Sequence, residues 1–330
     1  MFSHEPKIPR MASIISQCSL DVLRQAAENL NNGGLVAFPT ETVYGIGADA
    51  ENFEAITRMY RVKNRPVDHP VIVHIADLDE VDYWAKEIPD YAIALMRDYW
   101  PGPMTLLLLR TDKAKDFVTG NQEIVGLRIP AHTVAINLMQ EFKKLGGHGI
   151  AAPSANRYGS VSPTTAAAVQ EALAEFLEPR DQILDGGSSI VGVESTIIDC
   201  TKANPSILRP GAITAEMIEV STGIIVVEPD DVKVRVSGSH KQHYAPQARV
   251  VMGGTTNAGE GLIAMSEIET SAGVIRLAAP RSVEEYARTL YSALREGDTR
   301  GLKVIHIVPP EGKGLAVAIR DRINRAASEG

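Results

Sequence analysis

Two positive charges one residue apart, Lys63 and Arg65, are held by Pro66. Upstream of them runs Pro39-Thr40-Glu41-Thr42-Val43-Tyr44-Gly45-Ile46-Gly47, which places three hydroxyls, on Thr40, Thr42 and Tyr44, in one short stretch. Arginine offers a planar fork to two oxygens and lysine a point charge. A polar loop at the end of a buried strand, faced by such a pair, suits a small anionic ligand. Standing alone, Lys63 and Arg65 read first as solvated surface cations. Gly45 and Gly47 let the backbone take conformations that side chains forbid.

The elements that must hold these groups follow from periodicity. Ser19 is a plausible N-cap, and Leu20, Leu23, Ala26, Ala27 and Leu30 recur at helical spacing until Gly33-Gly34 stops the helix. A strand over 35–38 ends at Pro39, which cannot donate to a ladder. A helix over 52–61 leads to Lys63, and strands are expected over 71–75, 104–109, 125–129 and 149–152. Helices over 79–86, 90–99 and 133–145 lie between them. Ser162-Pro163-Thr164 is good chemistry for a helix start, with Ala166 to Leu177 as the helix. Strands at 183–187, 195–200 and 206–209 and a short helix at 214–220 follow. Many strands, several in close succession, imply a mixed sheet rather than a regular βαβ repeat. Polar, turn-rich sequence over 228–247 reads as a linker. After it, apolar runs at 249–252, 262–265, 273–277 and 303–308 alternate with helices at 282–296 and 313–327, the pattern of a small doubly wound α/β domain.

Lys63-Asn64-Arg65, followed far downstream by Ser154-Ala155-Asn156 and preceded by the Pro39–Gly45 stretch, resembles the YrdC-type family, the L-threonylcarbamoyladenylate synthases. The resemblance runs to the C-terminus, which implies the long form: a catalytic domain over 13–227 with a strongly twisted open mixed sheet and a concave active face, a linker or lid over 228–247, and a small Rossmann-like domain over 248–330. It implies that L-threonine, bicarbonate or CO2, and ATP give threonylcarbamoyl-AMP and pyrophosphate, for modification of ANN-decoding tRNAs. Lys63 and Arg65 would be catalytic and bind ATP together with His69, Ser154, Asn156, Ser162, Arg209 and Tyr244. His69 stands where the family usually has asparagine. Thr42, His74, Arg128, Ala152 and Ser195 would bind threonine, with a carboxylate against the Arg128 fork. Mg2+ would accompany ATP, held by phosphates and water. A downstream complex transferring threonylcarbamoyl to tRNA is an implied partner.

Each residue also has a plainer reading. His74 can be a polar rim residue, Arg128 a surface ion pair, Ser154-x-Asn156 a turn, and Ser162 a simple N-cap. Arg320, Arg322 and Arg325 read as a solvated helix face. A tyrosine with Lys241 and His243 beside it is unusual in a passive tether, so the linker is expected to close over the site.

Composition bounds these readings. The 330 residues suit two domains, and 44% hydrophobic with 22% charged content is ordinary for a globular protein. The net charge of −8 argues against a general nucleic-acid binder, and no aromatic stacking platform favours an RNA-binding module. A carbamoyltransferase accessory protein, the other rival, would carry acylphosphatase and zinc-finger segments. Gly186-Gly187-Ser188-Ser189 lacks the lysine of a Walker loop. Cys18 and Cys200 have no metal-ligand spacing and are expected as thiols. No apolar run reaches membrane-spanning length, and no leader is evident, so a cytoplasmic protein is expected.

Overall fold

The computed structural model describes residues 15–229, 234–238 and 244–327. Its first sheet is built from β1 (Ile15–Gln17), β2 (Val36–Phe38), β3 (Gly45–Asp49), β4 (Ile72–His74), β5 (Ala85–Lys86), β6 (Met104–Arg110), β7 (Ile124–Arg128), β8 (Ile150–Ala151), β9 (Gln182–Asp185), β10 (Thr196–Asp199) and β11 (Ser206–Arg209). The order is β1-β9-β2-β3-β8-β4-β7-β6-β10-β11, with β5 on β6. Parallel pairs (β4 with β7, β6 with β10) alternate with antiparallel ones (β2 with β3, β6 with β7), so the sheet is mixed.

The helices form where capping and burial agree. The Ser19 hydroxyl accepts from the Val22 N–H and starts the Leu20–Asn31 helix, whose Leu23, Ala26 and Leu30 meet Leu138 and Phe142 of the Thr133–Lys144 helix in one core cluster. The Phe53–Lys63 helix opens on the Asn52 side chain and ends on Asn64 in a left-handed conformation. That stop turns the chain between Lys63 and Arg65. On the other side of the sheet, Tyr44, Ile46, Met59, Val73, Trp84 and Leu106 share the largest core cluster.

Several expectations are corrected. Gly45 and Gly47 lie in β3, with neither at positive φ. What their missing side chains permit is close packing: a Cβ on Gly47 would lie 2.6 Å from Ile150 Cγ2 and 2.8 Å from Phe38 Cε1. The helix expected over 79–86 gives out after Trp84, because Ala85 and Lys86 pair with the edge of β6 at Arg110 and Leu109. Ser162 does not start a helix. The Pro163 carbonyl accepts from the Tyr44 N–H and the Thr164 carbonyl from the Ser189 N–H, so the turn begins only at Ala166, capped by Thr165.

The second sheet holds β12 (Arg249–Met252), β13 (Gly261–Ile263), β14 (Ile275–Ala278) and β15 (Val304–Ile307), in the order β12-β15-β13-β14 and parallel throughout. Two long helices, Val283–Thr299 and Leu315–Ala327, pack on each other and on this sheet. Their apolar faces continue into the first domain: Val43, Val161 and Val193 share a buried cluster with Tyr286, Leu290 and Tyr291. Gly192, at φ 83°, approaches the Val283–Thr299 helix so closely that a Cβ would meet the Ala287 carbonyl at 2.4 Å. The two domains therefore share a core.

Gly47→Ala should cost about 1–3 kcal/mol, the usual penalty for overpacking, because both atoms it meets are themselves buried. Urea denaturation of the variant against the parent checks this, and an unchanged midpoint would show that β3 and β8 can part freely.

Candidate active site

One pocket gathers most of the residues singled out from the sequence: Thr42, Arg65, His74, Arg128, Ala152, Ser154, Ser195, Arg209 and Tyr244 all line it. Strand ends supply His74 (β4), Arg128 (β7) and Arg209 (β11), and the β2–β3 connection supplies Thr42. Register explains part of this: His74 and Arg128 are direct partners across the β4–β7 ladder.

At one end, Arg128 is held by three groups. Its Nη1 donates to Thr42 Oγ1 at 3.0 Å, its Nε to the Gly102 carbonyl at 3.2 Å, and its Nη2 lies 2.7 Å from the Glu41 carboxylate. Glu41 also accepts from the Ala131 N–H at 3.0 Å. Thr40 and Thr42 share a hydrogen bond of 2.8 Å, and Thr40 donates to the Val43 carbonyl, so the loop is tied through its own hydroxyls. Burial, aided by the nearby Arg128 charge, drives the His74 imidazole down to about 3, so it is neutral at physiological pH.

At the other end, Arg209 donates through Nε to the Ser195 carbonyl and through Nη2 to Ser195 Oγ, both at 3.0 Å. Thr105 fixes the same hydroxyl at 2.8 Å. Arg209 Nη1 donates to the Ser237 carbonyl at 2.8 Å, and Arg65 Nη2 reaches Ser237 Oγ at 3.3 Å and the Pro70 carbonyl at 2.8 Å. Burial pulls Arg65 and Arg209 below the usual guanidinium range. Both cations are met by neutral acceptors, which leaves this end receptive to negative charge.

Four of the expected residues stand outside the lining. Lys63 is buried, and its ammonium donates to the carbonyls of Ser154 and Asn156. It therefore fastens the Ser-x-Asn loop from behind. Burial, with Arg65 and Arg157 close by, lowers its pKa well below the ordinary lysine value. The Asn156 amide donates to the Arg157 and Ser160 carbonyls. Ser162 is buried and donates to Glu194 at 2.7 Å. His69 is half-buried, its ring 5.5 Å from that of Tyr158. Lys241 and His243 lie outside the described residues.

The residues missed are the carboxylates. Glu41 sits inside the hydroxyl loop, and Glu194 lines the pocket beside Ser195. An acidic residue in an otherwise uncharged polar loop is the signal that could have pointed to each. The solvated face expected for Arg322 is also corrected: Arg322 is fully buried, with Nε 2.8 Å from Glu194 Oε2. Arg320 donates to the Pro310 and Gly312 carbonyls.

Both thiols are free, and burial pushes Cys18 up to about 11 and Cys200 higher still, so neither is poised as a nucleophile. Among the described residues, no helix is long and apolar enough to cross a membrane.

A mixed sheet whose strand ends carry buried arginines, hydroxyls and a neutral histidine around one pocket is the site of an enzyme that handles anionic substrates; here it is a nucleotidyltransferase with a YrdC-like domain. Residues 28–211 match a family model described as "Telomere recombination" (Sua5, YciO and YrdC), and residues 213–328 match one described as the C-terminal domain of threonylcarbamoyl-AMP synthase. The chain belongs to the threonylcarbamoyl-AMP synthase family, in its long form with a Sua5 C-terminal domain. It is 39% identical to the threonylcarbamoyl-AMP synthase of Pyrococcus abyssi, over 92% of this chain and 94% of that one. It is 38% identical to that of Bacillus subtilis, over 92% of each. The crystal structure of P. abyssi Sua5 complexed with L-threonine superimposes with a TM-score of 0.85 at 36% identity, covering 95% of this chain and 96% of that one.

Glu41→Gln removes the charge that partners Arg128 in a dry site. It should destabilise the protein by about 3–5 kcal/mol, as breaking one side of a buried ion pair does. A chemical-denaturation series checks this, and a loss under 1 kcal/mol would mean that Thr42 and Gly102 suffice for Arg128.

Proposed function

We propose that the pocket binds L-threonine at its Arg128 end and ATP at its Arg65–Arg209 end, and joins them through bicarbonate-derived CO2. The observation that carries this reading is that Arg128 and the pair Arg65 and Arg209 line one pocket, together with Ser154 and Ser195. Threonine's amine adds to CO2 and loses a proton, giving a carbamate. A carbamate oxygen attacks the α-phosphorus, the bond to the bridging oxygen breaks, and pyrophosphate leaves. The product, threonylcarbamoyl-AMP, serves the threonylcarbamoyl modification of ANN-decoding tRNAs.

The protein's contribution is position and charge. Two anions must meet, and the transition state spreads negative charge over phosphate oxygens. Arg65 and Arg209 supply the compensating charge. Lys63 holds the loop of Ser154 and Asn156; the Ser154 hydroxyl faces the phosphates in this reading, the Asn156 amide braces the loop through the Arg157 and Ser160 carbonyls, and Ala152 and His74 line the threonine end. The amine's proton leaves to solvent or bicarbonate. Mg2+ enters, in this reading, as the partner of ATP, coordinated by phosphates and water.

We further assign 13–227 as the catalytic domain, 248–330 as the C-terminal domain and 228–247 as a lid. Ser237 accepts from both Arg65 and Arg209, and Tyr244 is buried against the pocket. A nucleotide reaching those arginines would compete with Ser237, so its arrival would be coupled to movement of the segment. Closure would shield a readily hydrolysed acyl adenylate from water. The net charge of −8 counts against the RNA-binding reading, and the match of residues 213–328 to the synthase C-terminal domain counts against the carbamoyltransferase-accessory one.

ATP should be converted to AMP-level products and pyrophosphate only when threonine and bicarbonate are both present. Release of ADP and orthophosphate instead would sink the adenylate-forming reading. Among variants, Arg65→Ala and Tyr244→Ala should weaken ATP use, while Arg128→Ala should weaken threonine use more. Each arginine loss should be roughly 10- to 150-fold, the worth of a charge-assisted hydrogen bond. Apparent affinities for both substrates decide this, and equal losses for both ligands in every variant would remove the case for separate subsites.

A further inference from the structure

A carboxylate lines a pocket read above as binding polyphosphate. Glu194 is buried, and in that position its charge opposes the ligand. Its neighbours come from both domains. Ser162 donates to Oε1 at 2.7 Å, Tyr291 donates to Oε2 at 2.9 Å, and Arg322 Nε donates to Oε2 at 2.8 Å. Arg322 is itself fully buried, lies 2.6 Å from Asp321 and sits 5.4 Å over the Tyr244 ring, which stacks on Tyr291. Arg209, on the pocket side, is the other cation whose field reaches Glu194. Arg322 and Tyr291 belong to the C-terminal helices, and Glu194 is the residue before Ser195.

We propose that Arg322 is a positioning residue for the pocket of the first domain: by pairing with Glu194 it offsets the carboxylate on the pocket wall and leaves Arg209 free to attract an anion. This rests on the ATP reading above. Stability alone does not explain the pair, because well-packed apolar residues usually serve a buried position as well or better. Its location does. Without Arg322, Glu194 would turn to Arg209 for its counter-charge, and the cation meant for ligand would be spent internally.

The sign of the pH dependence follows. Burial opposes ionisation of Glu194, yet Arg322 and then Arg209 hold it at about 2, so it stays ionised and paired from pH 5 to 8. Its share of stability is present above the unfolded carboxylate value and is lost as pH falls toward 2. In Arg322→Met, burial prevails and the folded value rises above the unfolded one. Ligand-free stability should then decline from pH 5 to 8, relative to the parent, and ATP affinity should decline with it.

The experiment measures thermal midpoints without ligand and ATP affinity by calorimetry, at pH 6 and pH 8, for the parent, Arg322→Met, Arg322→Lys and Glu194→Gln/Arg322→Met. Arg322→Met should bind ATP roughly 10- to 100-fold more weakly at pH 8, with a smaller loss at pH 6. Arg322→Lys should keep the parent's flat profile, and the double variant should recover both ATP affinity and pH independence. A double variant as weak as Arg322→Met, or an Arg322→Met midpoint that tracks the parent across pH, would overturn the proposal. If the parent itself binds no ATP, the functional reading fails instead, and the ligand-free midpoints alone decide the coupling. Should Arg322→Met not fold, the Lys and double variants carry the same comparison, because an electrostatic role demands that removing both charges does less harm than removing one.

Discussion

Buried cations need acceptors, and the structure can be read as the answer to that demand. Lys63, Arg65, Arg128, Arg209 and Arg322 are all buried in or behind one pocket. Leaving such a group without partners costs far more than any single contact returns. Glu41 neutralises Arg128, and Glu194 with Asp321 neutralises Arg322. The other three cations are met by carbonyls and hydroxyls: Ser154 and Asn156 for Lys63, Pro70 and Ser237 for Arg65, and Ser195 and Ser237 for Arg209. Dipoles satisfy hydrogen bonds without cancelling charge. The pocket therefore retains a demand for an anion that the protein itself does not meet, and that imbalance is the basis on which ATP is proposed for it.

Where each acceptor comes from sets what the sequence could disclose. The Lys63-x-Arg65 pair was legible because a helix end and a proline fix it locally, and the strand ends carrying His74, Arg128 and Arg209 follow from largely apolar stretches of four or five residues, about the usual strand length. Ser162 was read as a helix start because the local pattern favours it. Its backbone neighbours are instead claimed by Tyr44 and Ser189, partners far away in the chain. β3 escaped notice because Gly45-Ile46-Gly47-Ala48 has no β-branched alternation, and its glycines serve packing against Phe38 and Ile150. Arg322 sits in a helix whose charge pattern suggests solvent, and only the Glu194 carboxylate of the other domain explains its burial. A window of sequence reports local preference, whereas a long-range ion pair leaves no local trace.

The domain arrangement follows from the same accounting. Val43, Val161 and Val193 of the first domain share a core with Tyr286, Leu290 and Tyr291 of the second, and Gly192 admits the backbone of the Val283–Thr299 helix at close range. Such a contact would ordinarily serve as a structural seam. Here it stands directly behind the pocket: Tyr244 lines the pocket on one face and stacks on Tyr291 on the other, and Gly238, at φ 82°, leaves no room for a side chain beside the Tyr244 hydroxyl. Gly238 and Tyr244, the described residues of the joining segment nearest the pocket, are thus packed against one another, and Tyr244 against the second domain.

The electrostatics also bear on the type of catalysis. The pocket's groups with resolved values titrate far from neutrality: His74 at about 3, Glu194 at about 2 and Tyr244 at about 12, each pressed by burial and then by its neighbours' charges. A general acid or base is most effective with a pKa near the working pH, and none of these meets that condition. What these three provide is protonation states that stay fixed as pH varies around neutrality. Fixed dipoles and cations do not have to reorganise while the reaction proceeds, which is where most electrostatic acceleration arises. For joining a carbamate to an α-phosphorus, two anions must approach one another in a dry site. An array of buried arginines held by carbonyls is suited to that task, and proton transfer is left to the substrates themselves.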